Sequence, residues 1–313
     1  MAQSFPASPL LRIGSRGSPL ALVQAREVVR RLSAACGAPA EAIEIKVIRT
    51  SGDVIQDRPL AEAGGKGLFT KEIEEALRAG GIDLAVHSSK DMPTMLPPGL
   101  VLSAFLPRED ARDAFISRVS KTLRDLPTDA VVGTASLRRQ ALVKRSRPDL
   151  AMAPLRGNVE TRLRKLEAGD VHATILAVAG LKRLGLLSAA TAILEIDEFI
   201  PAVGQGAIGI ETRIDDSATR ALVDKINDAD TATALAAERA FLAELDGSCR
   251  TPIGGHARVG NDTVRFHGII VRPDGTEAFE VSREGRRADA AALGADAGRE
   301  LKRRAGADFF VQA

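Results

Sequence analysis

Five consecutive positions, His87-Ser88-Ser89-Lys90-Asp91, set an imidazole, two hydroxyls, an ammonium and a carboxylate side by side, groups of the kinds that hold ligands and move protons. They overlap the end of Asp83-Leu84-Ala85-Val86-His87, a mostly apolar run suited to a buried strand. Met92-Pro93 follows and stops any continuation, since proline removes a donor and pushes the residue before it toward extended geometry. The cluster therefore falls at a strand's C-terminal edge, where open α/β sheets bind ligands. Read alone, it is equally a polar loop with a surface Lys-Asp pair.

Basic residues recur in the same setting. Arg16 and Ser18 follow the strand candidate Leu11-Arg12-Ile13-Gly14, with Ser18 as N-cap and Pro19 at the first position of a helix running to about Cys36. Ala130 to Thr134 reads as a strand, and Ala135-Ser136-Leu137-Arg138-Arg139 opens the next helix. Leu155-Arg156-Gly157-Asn158 repeats the device, with Asn158 capping a helix that carries Arg162. Positive charge in a first turn opposes the helix dipole, so Arg138 and Arg139 cost stability unless they hold an anion. A guanidinium fork suits a carboxylate, although 33 of the 43 basic residues are arginine and composition explains part of the choice. Cys249 lies on a short loop, Asp246 to Pro252, after a strongly helical run from Ala234 to Leu245. That placement exposes a thiol, and reactivity would need a partner or a lowered pKa.

Two glycine motifs fail on context. Gly64-Gly65-Lys66-Gly67-Leu68-Phe69 lacks the Ser or Thr that follows the lysine of a nucleotide-binding P-loop, and its upstream glycine spacing is wrong. It stays a loop carrying one cation. Gly204-Gln205-Gly206-Ala207-Ile208-Gly209 matches the dinucleotide pattern, but a strand follows it where a helix is needed. We read it as a hinge returning the chain to an earlier sheet.

The 313 residues have a hydrophobic fraction of 45% and a net charge of +2, so no global field points to a nucleic acid or a membrane. The absence of Trp and Tyr leaves few rings for stacking bases. The first eleven residues lack a charged n-region and an apolar core, which argues against a signal peptide. No apolar run approaches a membrane span. Two cysteines and four scattered histidines make neither a disulfide framework nor a zinc site. Further strands at Glu44 to Arg49, Leu100 to Phe105 and Thr174 to Val178 alternate with helices, which predicts parallel sheets covered on both faces. Val264 to Val271 and Glu277 to Arg283 read as an antiparallel hairpin, and a helix from Ala288 to Arg304 closes a small α+β unit.

Eight motifs occur in an order that is specific: SRGSPLA (15–21), GGKGLF (64–69), VHSSKDMP (86–93), GTASLRR (133–139), LRGNV (155–159), LAVAGL (176–181), VGQG (203–206) and GSC (247–249). Along its whole length the chain resembles the hydroxymethylbilane synthases, also called porphobilinogen deaminases. The resemblance implies a cytoplasmic, monomeric transferase that joins four porphobilinogens head to tail with loss of ammonia and releases the linear tetrapyrrole by hydrolysis. It implies two periplasmic-binding-protein-like α/β domains, residues 1–106 with 207–226 and residues 107–206, separated by a cleft, plus a small α+β domain at 227–313. The primer would be a dipyrromethane cofactor held by a thioether on Cys249, and the catalytic carboxylate would be Asp91. Lys90, Ser136, Arg138 and Arg139 are carried over as cofactor-binding. Arg16, Ser18, Lys66, Phe69, His87, Ser88, Thr134, Ala135, Arg156 and Arg162 are carried over as substrate-binding, with His87 lining the pocket. Glu62 departs from members that have lysine in that loop. The chemistry agrees, because every pyrrole unit brings an acetate and a propionate that cations must hold. A fixed carboxylate would stabilise the cationic methylene-pyrrolenine formed on deamination. A non-catalytic reading also fits the bilobed architecture: a module that binds an anionic solute or senses an effector.

Overall fold

The computed structural model describes residues 9–54, 67–245, 251–306 and 309. In chain order the strands are β1 (Leu11–Ser15), β2 (Ile43–Val47), β3 (Leu84–Ser88), β4 (Leu100–Phe105), β5 (Asp113–Ser117), β6 (Val131–Gly133), β7 (Ala151–Ala153), β8 (Ala173–Ala177), β9 (Ala192–Leu194), β10 (Ile208–Arg213), β11 (Ile253–Val259), β12 (Thr263–Val271) and β13 (Ala278–Arg286). The helices are α1 (Pro19–Cys36), α2 (Ser51–Val54), α3 (Lys71–Arg78), α4 (Leu137–Ser146), α5 (Val159–Glu167), α6 (Val178–Arg183), α7 (Ser217–Asp224), α8 (Ala229–Glu244) and α9 (Ala290–Ala305).

The architecture is mixed α/β, with two sheet-containing domains and a small C-terminal domain. By contact the chain divides into two compact units, one formed from residues 1–55, 65–108 and 207–232, the other from 56–64, 109–206 and 233–313. The first unit holds a sheet of order β2-β1-β3-β10-β4. The second holds a sheet of order β7-β6-β8-β5-β9 together with the three-stranded β11-β12-β13.

Neither five-stranded sheet is wholly parallel, contrary to the expectation from sequence. β1 runs parallel to β2 and β3, while β10 pairs antiparallel with both β3 and β4. The second sheet repeats this: β6 is parallel to β7 and β8, and β5 is antiparallel to β8 and β9. In each sheet the reversed strand adjoins a crossing between units, and alternation of strands with helices carries no signal for it. The expected return of the chain to an earlier sheet after 204–209 is made by β10.

Local sequence explains how β3 is held. Ser18 Oγ accepts from Ala21 N–H at 3.3 Å and Gly37, in the left-handed region, ends α1. The buried face of α1, Ala25, Val28 and Leu32, packs with Leu84 and Val86. On the other face Ile73 and Leu77 of α3 pack with Ala85. The period-two alternation of β3 thus sends Val86 and Ser88 toward α1, and Ala85 and His87 toward α3. In the C-terminal domain the expected hairpin is β12 and β13, and β11 adds a third strand whose Gly254 and Gly255 hide it from propensity.

Candidate active site

In the first unit, a single 3₁₀ turn over Ser89–Asp91 follows β3. Ser89 N–H donates to Ala207 O at 3.0 Å and Met92 N–H to Ser89 O at 3.2 Å. Ser89 and Met92 are buried, Lys90 is half-buried and Asp91 is exposed. The turn is thus anchored at both ends while its carboxylate faces outward. Arg16 leaves the C-terminal end of β1, the neighbouring parallel strand, and its guanidinium carbon lies 4.2 Å from the centroid of the Phe69 ring. Ser88 Oγ meets the side-chain amide of Gln24 at 2.9 Å.

His87, carried over as substrate-binding, is a buried residue. Its ring is buried on the α3 face, with Nε2 3.1 Å from Oε2 of the fully buried Glu211. Strand alternation dictates this, since His87 shares its face with the core residue Ala85. Nearby Glu74 is buried too, and burial, aided by the Glu211 charge, raises its carboxyl above the ordinary glutamate range.

In the second unit, β6 ends at Gly133 and delivers Thr134, Ala135 and Ser136 to the start of α4. Ser136 Oγ caps the helix by accepting from Arg139 N–H, and its own N–H donates to Thr134 Oγ1 at 3.2 Å. Arg156 follows β7, Asn158 caps α5 by accepting from Thr161 N–H at 2.8 Å, and Arg162 Nε donates to Gly157 O at 2.9 Å. These groups sit after the C-terminal ends of parallel strands, as those of the first unit do.

Arg138 and Arg139, carried over as cofactor-binding, also have a partner within the protein. Both are buried, and both reach Asp113, the fully buried first residue of β5: Arg138 Nη2 at 2.7 Å, Arg139 Nη2 at 2.6 Å and Arg139 Nε at 3.2 Å. Gln205 Nε2 adds a fourth donor at 3.0 Å. Burial alone would raise the Asp113 carboxyl, but the two guanidinium charges outweigh it and hold Asp113 well below the usual carboxylate range. The anion that the first-turn charges call for therefore includes one from the protein itself. Asp113 was missed in the sequence, although its place just before Ala114-Phe115-Ile116 marks a carboxylate entering a core strand.

The arginine pair is not fully used by Asp113. Arg138 Nη1 donates to Ile200 O and Arg139 Nη1 to Ile175 O, while the buried Arg138 Nε has no acceptor among the described residues. Two guanidinium charges against one carboxylate leave a buried excess of one positive charge, which suits an anionic group carrying carboxylates such as a dipyrromethane. Cys249, Lys66 and Glu62 lie outside the described residues. Among the described residues no cluster of His, Cys, Asp or Glu could hold a metal ion, and no helix is long and apolar enough to cross a membrane.

Residues 11–221 match the family model "Porphobilinogen deaminase, dipyromethane cofactor binding domain", and residues 232–303 match "Porphobilinogen deaminase, C-terminal domain". The chain belongs to the porphobilinogen deaminase family. Curated porphobilinogen deaminases from Nitrobacter hamburgensis and Nitrobacter winogradskyi are each 64% identical to it over 311 residues, covering 99% of this chain and 98% of theirs. Among solved structures, a putative methionine-binding lipoprotein from Bacillus subtilis shows 15% identity and a TM-score of 0.43 over 69% of this chain and 89% of its own. A nutrient binding protein from Burkholderia cenocepacia bound to methionine shows 17% identity and a TM-score of 0.43 over 69% and 91%. Membership of the porphobilinogen deaminase family makes the chain a transferase of tetrapyrrole biosynthesis with a dipyrromethane cofactor, and disfavours the non-catalytic solute-binding alternative.

Proposed function

We propose that, in the hydroxymethylbilane synthase reaction of this chain, Asp91 is the reacting carboxylate and Cys249 the cofactor's covalent anchor. The observation that carries the reading is the exposed Asp91 carboxylate on a turn whose flanking residues, Ser89 and Met92, are buried. A carboxylate fixed in this way stabilises positive charge developing on a substrate ring without reorganising during the reaction. In this reading Asp91 also gives a proton to the departing amine of porphobilinogen and takes one from the attacking ring carbon.

Arg16, Arg156, Arg162 and Lys90 serve this reading as partners for acetate and propionate groups, with hydroxyls of Ser18, Ser88 and Thr134, the backbone at Ala135, and Ser136 around them. Lys66 and Phe69 belong to the same binding set. Arg138 and Arg139 hold a cofactor carboxylate through the donors that Asp113 leaves over. Bound dipyrromethane supplies the nucleophilic ring carbon on which the chain of pyrroles begins. We keep the domain limits as 1–106 with 207–226, 107–206 and 227–313, and the molecule as a cytoplasmic monomer.

Intact mass of the purified full chain beside a Cys249→Ala variant tests the reading. An excess of two linked pyrrole units in the parent, absent from the variant, supports it. An equal excess in both overturns the anchor, and no excess even after incubation with porphobilinogen overturns the cofactor assignment.

A further inference from the structure

The strand β3 leads directly into the turn that carries Asp91, so whatever fixes the last residues of β3 also places that carboxylate. In the pairing of β3 with β10, His87 stands opposite Gly209 and Ala85 opposite Glu211, which makes His87 and Glu211 diagonal neighbours on one face of the sheet. The imidazole crosses that diagonal, and its Nε2 meets Glu211 Oε2 at 3.1 Å with the two side chains only 4% and 0% exposed. Two features of β10 serve the contact. Gly209 leaves the position opposite His87 without a side chain, and a Cβ there would stand 3.1 Å from Ser89 Oγ and 3.2 Å from Leu102 Cδ2. The register between β10 and β4 shifts between Ile210 and Glu211, the kind of irregularity that re-aims a side chain beside an active site.

Stability alone is a poor reason for this arrangement. Glu211 Oε1 and Ser89 Oγ are buried with no hydrogen-bond partner among the described residues, and each such atom costs its desolvation. Apolar side chains of like volume commonly replace a buried pair of this kind without loss.

We propose that Glu211 is a positioning residue of the reaction: through His87 it fixes the C-terminal end of β3 against β10, and with it the Ser89–Asp91 turn. Two ties then join this end of β3 to the chain of β10. One is the backbone bond from Ser89 N–H to Ala207 O at 3.0 Å, and the other is the side-chain bond between His87 and Glu211. A single tie would let the turn pivot about it, whereas two spaced along the strand hold both its height and its direction. Misplacing a reacting group by about 1 Å can cost on the order of 100-fold in rate, which gives the second tie its value. Glu211 is fully buried, so it acts through Asp91 rather than on the substrate. The inference rests on the reading of Asp91 as the reacting carboxylate.

Kinetics of the full chain, with its cofactor loading checked by intact mass, test the proposal. Glu211→Leu lowers kcat about tenfold or more while KM for porphobilinogen stays within about twofold and the covalent mass excess is unchanged. Glu211→Gln, which keeps an oxygen able to accept from the ring N–H, recovers most of that loss. Gly209→Ala, which presses on Ser89 from the same face, also lowers kcat with KM kept. A merely structural role would lower the thermal midpoint and leave kcat of the folded protein intact.

A folded Glu211→Leu protein with kcat within about twofold of the parent overturns the proposal, as does a Gln variant no better than the Leu one or a loss that falls on KM instead. Thermal midpoints show whether the Leu variant folds; if it does not, Gly209→Ala decides, and parental kcat there overturns the positioning role. Near-parental turnover in Asp91→Asn removes instead the reading on which the inference rests, so the two failures are read separately.

Discussion

Arg139 directs both Nε and Nη2 to Oδ1 of Asp113, at 3.2 and 2.6 Å, while Arg138 Nη2 occupies the other carboxylate oxygen at 2.7 Å. Asp113 is fully buried, so these donors and Gln205, rather than solvent, compensate its charge. Removing one partner of such a group leaves uncompensated charge in the interior. Asp113→Asn is expected to cost about 3–5 kcal/mol in chemical denaturation. The same geometry sets a pH dependence. The folded-state pKa of Asp113 is depressed, so its contribution is complete above the unfolded value of about 3.9 and is lost as pH falls through the folded value. The parent's stability should therefore fall more steeply below about pH 4 than the variant's; equal acid slopes would contradict the assignment.

Asp91 is exposed on an anchored turn and bears none of the core's packing. Asp91→Asn should leave the fold and the covalent mass excess unchanged while lowering turnover by at least about 100-fold. Ammonia release from porphobilinogen is the assay, and near-parental rates would remove Asp91 from the chemistry.

Glu74 offers the opposite sign. Burial is the main cause of its raised pKa, with the Glu211 charge adding to it, so folding favours the neutral carboxyl. Its contribution is complete below the unfolded value of about 4.3 and is lost as pH rises through the folded value. Glu74→Gln should be as stable as the parent or more so at pH 7, with a flatter stability curve above about pH 4.3. Urea denaturation across that range decides it, and a large loss at pH 7 would show that the ionised carboxylate is needed.

Gly206 holds a φ of +88°, and a Cβ there would lie 2.3 Å from Glu109 O, within the unit where residues 109–113 and 203–206 run together. Gly169 has a φ of +84° but open space around it. Backbone strain alone costs about 1–3 kcal/mol at either position. Gly206→Ala should exceed Gly169→Ala in lost stability, and the difference measures the backbone collision.

Much of the scaffold was legible because its signals are local. Ser18, Ser136 and Asn158 cap helices as their types and positions imply, and the strand before Asp91 follows from an apolar run closed by Met92-Pro93. What escaped is what depends on distant partners. The reversed strand β10 pairs with β3 from about 120 residues further along the chain, and β5 with β8 across about 60, both beyond the reach of periodicity. The burial of His87 follows from which face of β3 meets α3. The partner of Arg138 and Arg139 lies on a strand 25 and 26 positions earlier, and only the assembled sheet brings its carboxylate beneath α4.

The place of β10 between β3 and β4 also imposes an order on biosynthesis. All the strands of the second five-stranded sheet, β5 to β9, are translated between β4 and β10, so that sheet has every strand it needs while the first still lacks its fourth. Until residues 208–213 leave the ribosome, β3 presents an unpaired edge, the kind of surface on which nascent chains aggregate. The Ser89–Asp91 turn gains its backbone tether to Ala207 at the same late moment. The part of the chain made first thus completes its sheet only after every strand of the second five-stranded sheet has been made.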